Sequence, residues 1–128
     1  MRYFAAPGKL ELEIAAFCEK KNLRWALWPQ MDRYDVEIQF SDGDVWEIDA
    51  KAYRNPIALR TKIQNDNGFP SGDYARGYFV IPNKYTVNQR NYTAIINRAL
   101  KDQKNVECVT LRALKTAITK KEASCNDK

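Results

Sequence analysis

Three features of this 128-residue sequence predict an α/β fold built on a mixed central sheet flanked by helices. Two consecutive segments, 34–40 and 44–53, alternate apolar and polar residues with the period of strands. A later segment, 78–81, is apolar throughout, as a strand covered on both faces is. Stretches of helical periodicity bracket and separate these strands.

The first helix starts after the Pro7-Gly8 turn signal, where Leu10, Ile14, Phe17 and Cys18 make one apolar stripe. Asn22, behind Lys20 and Lys21, is its expected stop. Leu23 to Trp28 reads as a short strand closed by Pro29. Val36, Ile38 and Phe40 then alternate with Asp35, Glu37 and Gln39, the turn Ser41-Asp42-Gly43 follows, and Trp46, Ile48, Ala50 and Ala52 alternate with Glu47, Asp49 and Lys51. Asn55-Pro56 is an N-cap followed by proline at the first helical position, opening a helix to about Asp66. After a loop rich in turn formers comes the apolar strand. Tyr92, Ile95, Ile96, Ala99 and Leu100 mark a third helix, Val106 to Val109 a last strand, and Leu111, Leu114 and Ile118 a final helix. The predicted order is an αβββαβ core with a C-terminal αβα extension. It forms one domain over residues 1–120, with 121–128 a polar, frayed tail.

Composition excludes whole classes of chemistry. The sequence contains no histidine, which removes histidine-activated serine or cysteine nucleophiles, histidine-ligated zinc and histidine general bases. Carboxylates, lysine, tyrosine or a hard metal ion remain. The net charge of +5 fits a polyanionic partner. Cys18, Cys108 and Cys125 show neither metal-ligand nor redox spacing, and their odd count points to a reducing, cytoplasmic setting. No apolar run approaches the roughly 18 residues of a membrane span. Met1 to Leu10 has no secretory pattern.

The register of the hairpin carries the functional expectation. A two-residue Asp42-Gly43 turn would set Val36 opposite Asp49 and Ile38 opposite Glu47, so that each apolar side chain shares a face with a charge. A three-residue loop with Gly43 in the left-handed conformation shifts the pairing by one. Val36 then opposes Ile48, Ile38 opposes Trp46, and the apolar face is coherent. In this register Asp35 lies opposite Asp49, with Lys51 two residues along on the same face. Opposed carboxylates about 5 Å apart repel each other, and a hard divalent cation reverses that cost. Glu37 and Glu47 form a second opposed pair nearer the turn, where solvent screens them. An acid-x-Lys tripeptide is a cheap pattern, present also as Glu19-Lys20-Lys21 and Asp102-Gln103-Lys104. Only Asp49-Ala50-Lys51 lies in a strand behind a partner that supplies an upstream aspartate.

Asp35…Asp49-Ala50-Lys51, in this order of elements, resembles the PD-(D/E)xK restriction-endonuclease-like superfamily, whose core of a helix, three strands, a helix and a fourth strand covers most of the chain. The resemblance implies a Mg²⁺-dependent endonuclease, with Mn²⁺ able to substitute. Asp35, Asp49 and the Ala50 carbonyl would hold the metal, and Lys51 would position the attacking water. The superfamily's proline before the first aspartate is here Tyr34. A glutamate from the first helix often joins the site. Glu11 and Glu13 both flank the apolar stripe, and Glu11 is preferred because Pro7-Gly8-Lys9-Leu10-Glu11 is similar to the helix start of some members. Leu27-Trp28-Pro29, Asp32-Arg33-Tyr34-Asp35, Trp46-Glu47-Ile48-Asp49-Ala50-Lys51 and Asn55-Pro56 also resemble nuclease domains encoded beside prokaryotic PIWI-like defence proteins. Those domains are often the C-terminal part of a longer chain.

DNA is the expected substrate, in restriction or defence, with a homodimer or a larger defence complex as the expected assembly. An inactive nucleic-acid-binding module of the same fold within a larger complex is the alternative; a third class is an interaction domain whose acidic face attracts a basic partner. Arg54, Lys62 and Lys84 are candidate phosphate contacts, and Gln89 is a candidate auxiliary polar residue. Tyr92 reads as core. Trp25 and Trp28 flank a strand with one of them expected to be partly exposed, whereas Trp46 faces the core.

Overall fold

Leu10, Ile14 and Cys18 become the buried stripe of helix α1 (Lys9–Lys20) in the computed structural model, which describes residues 8–29, 34–70 and 72–126. Pro7 of the first turn signal, Asp32 and Arg33, and the last two residues of the expected tail lie outside that set. Helix α1 ends as Asn22 turns to φ 60°. The Leu23 N–H then donates to the Cys18 carbonyl at 2.9 Å and the Asn22 N–H to that of Glu19 at 3.0 Å, the paired bonds of a Schellman termination.

Strands β1 (Arg24–Pro29), β2 (Tyr34–Gln39) and β3 (Val45–Ala50) are antiparallel neighbours. Helix α2 (Pro56–Asn65) follows, its N-cap Asn55 accepting a hydrogen bond from the Ile57 N–H at 2.8 Å. Then come β4 (Arg76–Ile81), α3 (Tyr92–Ala99), β5 (Val106–Thr110) and α4 (Leu111–Asn126). The sheet runs in the order β1-β2-β3-β4-β5, with β4 parallel to both β3 and β5. The mixed sheet and the αβββαβ core with its αβα extension are as expected.

Alternation along the strands divides the molecule into two cores. On one face α1 and α4 bury Val36, Ile38, Trp46, Ile48, Tyr78 and Val80. On the other, α2 and α3 pack over Phe79, Ile81 and Cys108. Among the described residues, that second core draws its strand members from β4 and β5. Gly77 makes room for it, because a Cβ there would lie 2.7 Å from the Phe69 ring.

The hairpin closes as the register argument requires. Phe40 N–H donates to the Asp44 carbonyl at 2.9 Å, and Gly43 adopts φ 96°. Val36 pairs with Ile48, Ile38 with Trp46 and Asp35 with Asp49.

Two elements depart from the sequence expectation. A 3-10 turn, Asn83–Thr86, follows β4, and the Asn83 carboxamide oxygen accepts the Arg112 N–H at 2.9 Å near the start of α4. Helix α4 continues to Asn126 through the segment expected to fray. Its polar final turns have tertiary partners that periodicity cannot register. Lys121 Nζ bridges Asp42 at 2.7 Å and Asp44 at 2.6 Å in the hairpin turn, and Cys125 packs against the first core.

Candidate active site

Strand pairing brings Asp35 and Asp49 opposite each other, and Lys51 continues the ladder by donating its N–H to the Val80 carbonyl at 2.8 Å. Lys51 Nζ reaches 3.5 Å from the Asp49 carboxylate. Asp35, Asp49 and Lys51 are 8%, 3% and 7% exposed, and among the described residues they are the buried charged side chains. Burial of ionisable groups without a gain elsewhere is costly, so three of them on one face make it the candidate site.

The field at this face is acidic. Glu37 pairs with Glu47 on the same side. The Glu47 carboxyl is held above its ordinary value, first by burial and then by the charges of Asp35, Glu37 and Asp49. Burial pushes the thiols of Cys18 and Cys108 up to about 12, so neither ionises near neutral pH, in keeping with a site built on oxygen and ammonium groups.

The donors suit a hard cation. Mg²⁺ takes oxygen ligands, often only one or two carboxylates, and keeps several waters. The two opposed carboxylates of Asp35 and Asp49 are donors of that kind. No group of three or more carboxylate, cysteine or histidine side chains is poised as a metal cage among the described residues. Glu11, the candidate third carboxylate, stands in the first turn of α1. It lines a cleft of about 580 Å³ with Glu13, Ala50, Ala52, Lys84 and Tyr85. Its carboxylate folds back over Gly8, where a Cβ would lie 2.7 Å from Oε1, the placement of an acidic residue in the first turn of α1.

Of the candidate phosphate contacts, Arg54, Lys84 and Gln89 line one concavity of about 350 Å³, next to the Glu11 cleft through their shared Lys84 and Tyr85. Lys62 stands apart on α2, in an exposed ion pair with Asp66 at 3.3 Å. Gln89 also has a structural task, since its Nε2 donates to the Arg54 carbonyl at 3.0 Å. Tyr92, fully buried as expected for core, carries a function that the sequence reading missed: its hydroxyl donates to the Tyr53 carbonyl. Gln89 and Tyr92 thus hold consecutive carbonyls of the strap that leaves Lys51. Gln89 was expected early in the third helix but precedes it, since α3 begins at Tyr92; their spacing of three was a visible signal, but its target was not.

A mixed five-stranded sheet flanked by four helices, with an aspartate pair and a lysine on the central hairpin, defines a restriction-endonuclease-like domain of the PD-(D/E)xK type. Residues 8–124 match the family described as "REase associating with pPIWI_RE", and the chain belongs to that family. It is therefore a nuclease-type domain of prokaryotic defence systems. No curated protein matches the chain.

Proposed function

We propose that this chain is a divalent-metal-dependent nuclease that hydrolyses phosphodiester bonds, with DNA as its substrate. The observation that supports this most strongly is the burial of Asp35, Asp49 and Lys51 together on one face of the hairpin. In this reading Asp35, Asp49 and the Ala50 carbonyl hold Mg²⁺ or Mn²⁺, which when bound supplies Lewis acidity to the scissile phosphate. Lys51 orients the attacking water and stabilises the negative charge that grows on the phosphoryl oxygens. Water attacks phosphorus, the bond to the leaving oxygen breaks, and the aspartates keep the site rigid through their strand pairing. Arg54 and Lys84 supply phosphate contacts beside the site.

The family's description as an endonuclease associating with pPIWI_RE supports a role inside a larger defence assembly. It equally favours a second reading, a module of the same fold that binds nucleic acid and cuts only within such an assembly, or not at all. A cleavage assay on linear, supercoiled and single-stranded DNA separates them. Loss of substrate that requires Mg²⁺ or Mn²⁺ and disappears in Lys51→Ala supports the nuclease; a gel shift with no loss supports the binding module. Calorimetric titration with Mn²⁺ should show one stoichiometric site that Asp49→Asn removes.

A further inference from the structure

Among the described residues, Trp28 is a large aromatic side chain left open to solvent beside this site. It is 52% exposed, whereas Trp46 is buried in the first core and Trp25 packs partly against it. Its position is set by register: Trp28 pairs with Asp35 across β1 and β2, and Asp35 pairs with Asp49 across β2 and β3. Directly paired residues share a face, so the indole belongs to the same row as the buried aspartates and, unlike them, is open to solvent. At about 4.8 Å per strand, the row runs from indole to Asp49 in about 10 Å. That is the reach of a single nucleotide between its phosphate and a neighbouring base.

The indole is also held. Its Nε1 donates to Glu37 Oε1 at 3.3 Å, so the ring is tethered at its polar edge and its apolar body is left to solvent. The Glu37 carboxylate beneath it repels phosphate. What can lie over Trp28 beside a scissile phosphate is therefore an uncharged, flat, apolar surface, which in a nucleic acid is the face of a base. In an intact duplex those faces are occupied by stacking, and exposing one costs a few kcal/mol. A single strand offers them freely, and stacking on an aromatic platform is indifferent to base identity.

We propose that Trp28 is a stacking platform for an unpaired base adjoining the Asp35–Asp49 site, so that this chain takes single-stranded nucleic acid in preference to intact duplex. The inference rests on the reading of this face as the nucleic-acid site. It concerns binding, and so can be tested apart from cleavage.

The test measures binding of dye-labelled oligothymidylate, and of a blunt duplex of equal length, to the full chain in EDTA. Trp28→Ala should weaken oligothymidylate binding about fivefold to a hundredfold, the range expected for the loss of one stacked base, with little change for the duplex. Trp28→Phe should retain most of the affinity, and should abolish the fluorescence quenching that oligothymidylate produces in the native chain. It also guards against a misfolded alanine variant. Equal oligothymidylate affinity for native and Trp28→Ala chains, a proportional loss for single strand and duplex, or no binding of oligothymidylate by the native chain overturns the proposal. Stacking without any cleavage upholds it while sinking the nuclease reading; cleavage indifferent to Trp28 does the reverse.

Discussion

Replacing Lys51 by methionine keeps the length and apolar stem of the side chain and removes only its ammonium. The structure sets the scale of the effect. Lys51 Nζ lies 3.5 Å from Asp49, and the two side chains are 8% and 4% exposed. At an effective dielectric constant near 20 that separation corresponds to about 5 kcal/mol of attraction, part of which offsets the cost of burying the ammonium. Removing one member of such a pair costs roughly 3–5 kcal/mol, a large share of the roughly 5–15 kcal/mol that holds a domain of this size together. With a urea slope of about 2 kcal/mol per molar, the unfolding midpoint of Lys51→Met in EDTA should fall by about 2 M. Mg²⁺ should recover more of the loss in the variant than it adds to the native chain, because the Lys51 ammonium no longer competes with it for Asp49. Circular dichroism followed through a urea titration, with and without Mg²⁺, reads both effects. Cleavage should vanish even where Mg²⁺ has restored the fold. A variant that unfolds with the native chain in EDTA, or that cuts at the native rate, refutes the argument that a buried ammonium–carboxylate contact organises this site.

Gly77→Ala should destabilise the fold by about 1–3 kcal/mol, the usual cost of overpacking, because the new methyl would meet the Phe69 ring at 2.7 Å and that ring is wedged between Tyr74 and Phe79; thermal unfolding at an unchanged midpoint contradicts this. Tyr92→Phe removes the donor to the Tyr53 carbonyl and should cost about 1 kcal/mol, with a larger fall in kcat than change in KM as the strap behind Lys51 loosens; native kcat in a correctly folded variant would dismiss Tyr92 as a positioning residue. Glu47 titrates above its ordinary 4.5, so the folded state holds this proton more readily than the unfolded chain does, and the group's contribution is complete below 4.5 and lost as pH rises through the folded value. Glu47→Gln should therefore lessen the decline in urea midpoint above pH 4.5 in metal-free buffer, and a variant that tracks the native pH curve speaks against it.

Local periodicity and steric rules were enough to determine the elements, and with them the heart of the site. The alternation of 34–40 and 44–53 admits one register that keeps apolar residues together, and Gly43 supplies the left-handed residue that this register needs. The opposition of Asp35 and Asp49, with Lys51 beside them, was therefore legible in the sequence, as were the Asn55 cap and the Asn22 stop. All of these depend on residues close in the chain, where backbone geometry fixes which side chains meet.

The rest was decided by how helices dock on the sheet. Lys121 holds the hairpin turn across 79 and 77 residues of sequence, which is why α4 persists through a segment too polar to be read as helix. The Tyr92 hydroxyl meets Tyr53 across 39 residues, and Arg54, Lys84 and Gln89, spread over three segments, come to line one concavity. Glu11, which resemblance assigns to the site, lines a cleft with Ala50, Ala52 and Lys84, a neighbourhood that the docking of α1 on the sheet decides. Periodicity assigns a residue to a face; what covers that face depends on contacts between distant parts of the chain, and those have no local signature.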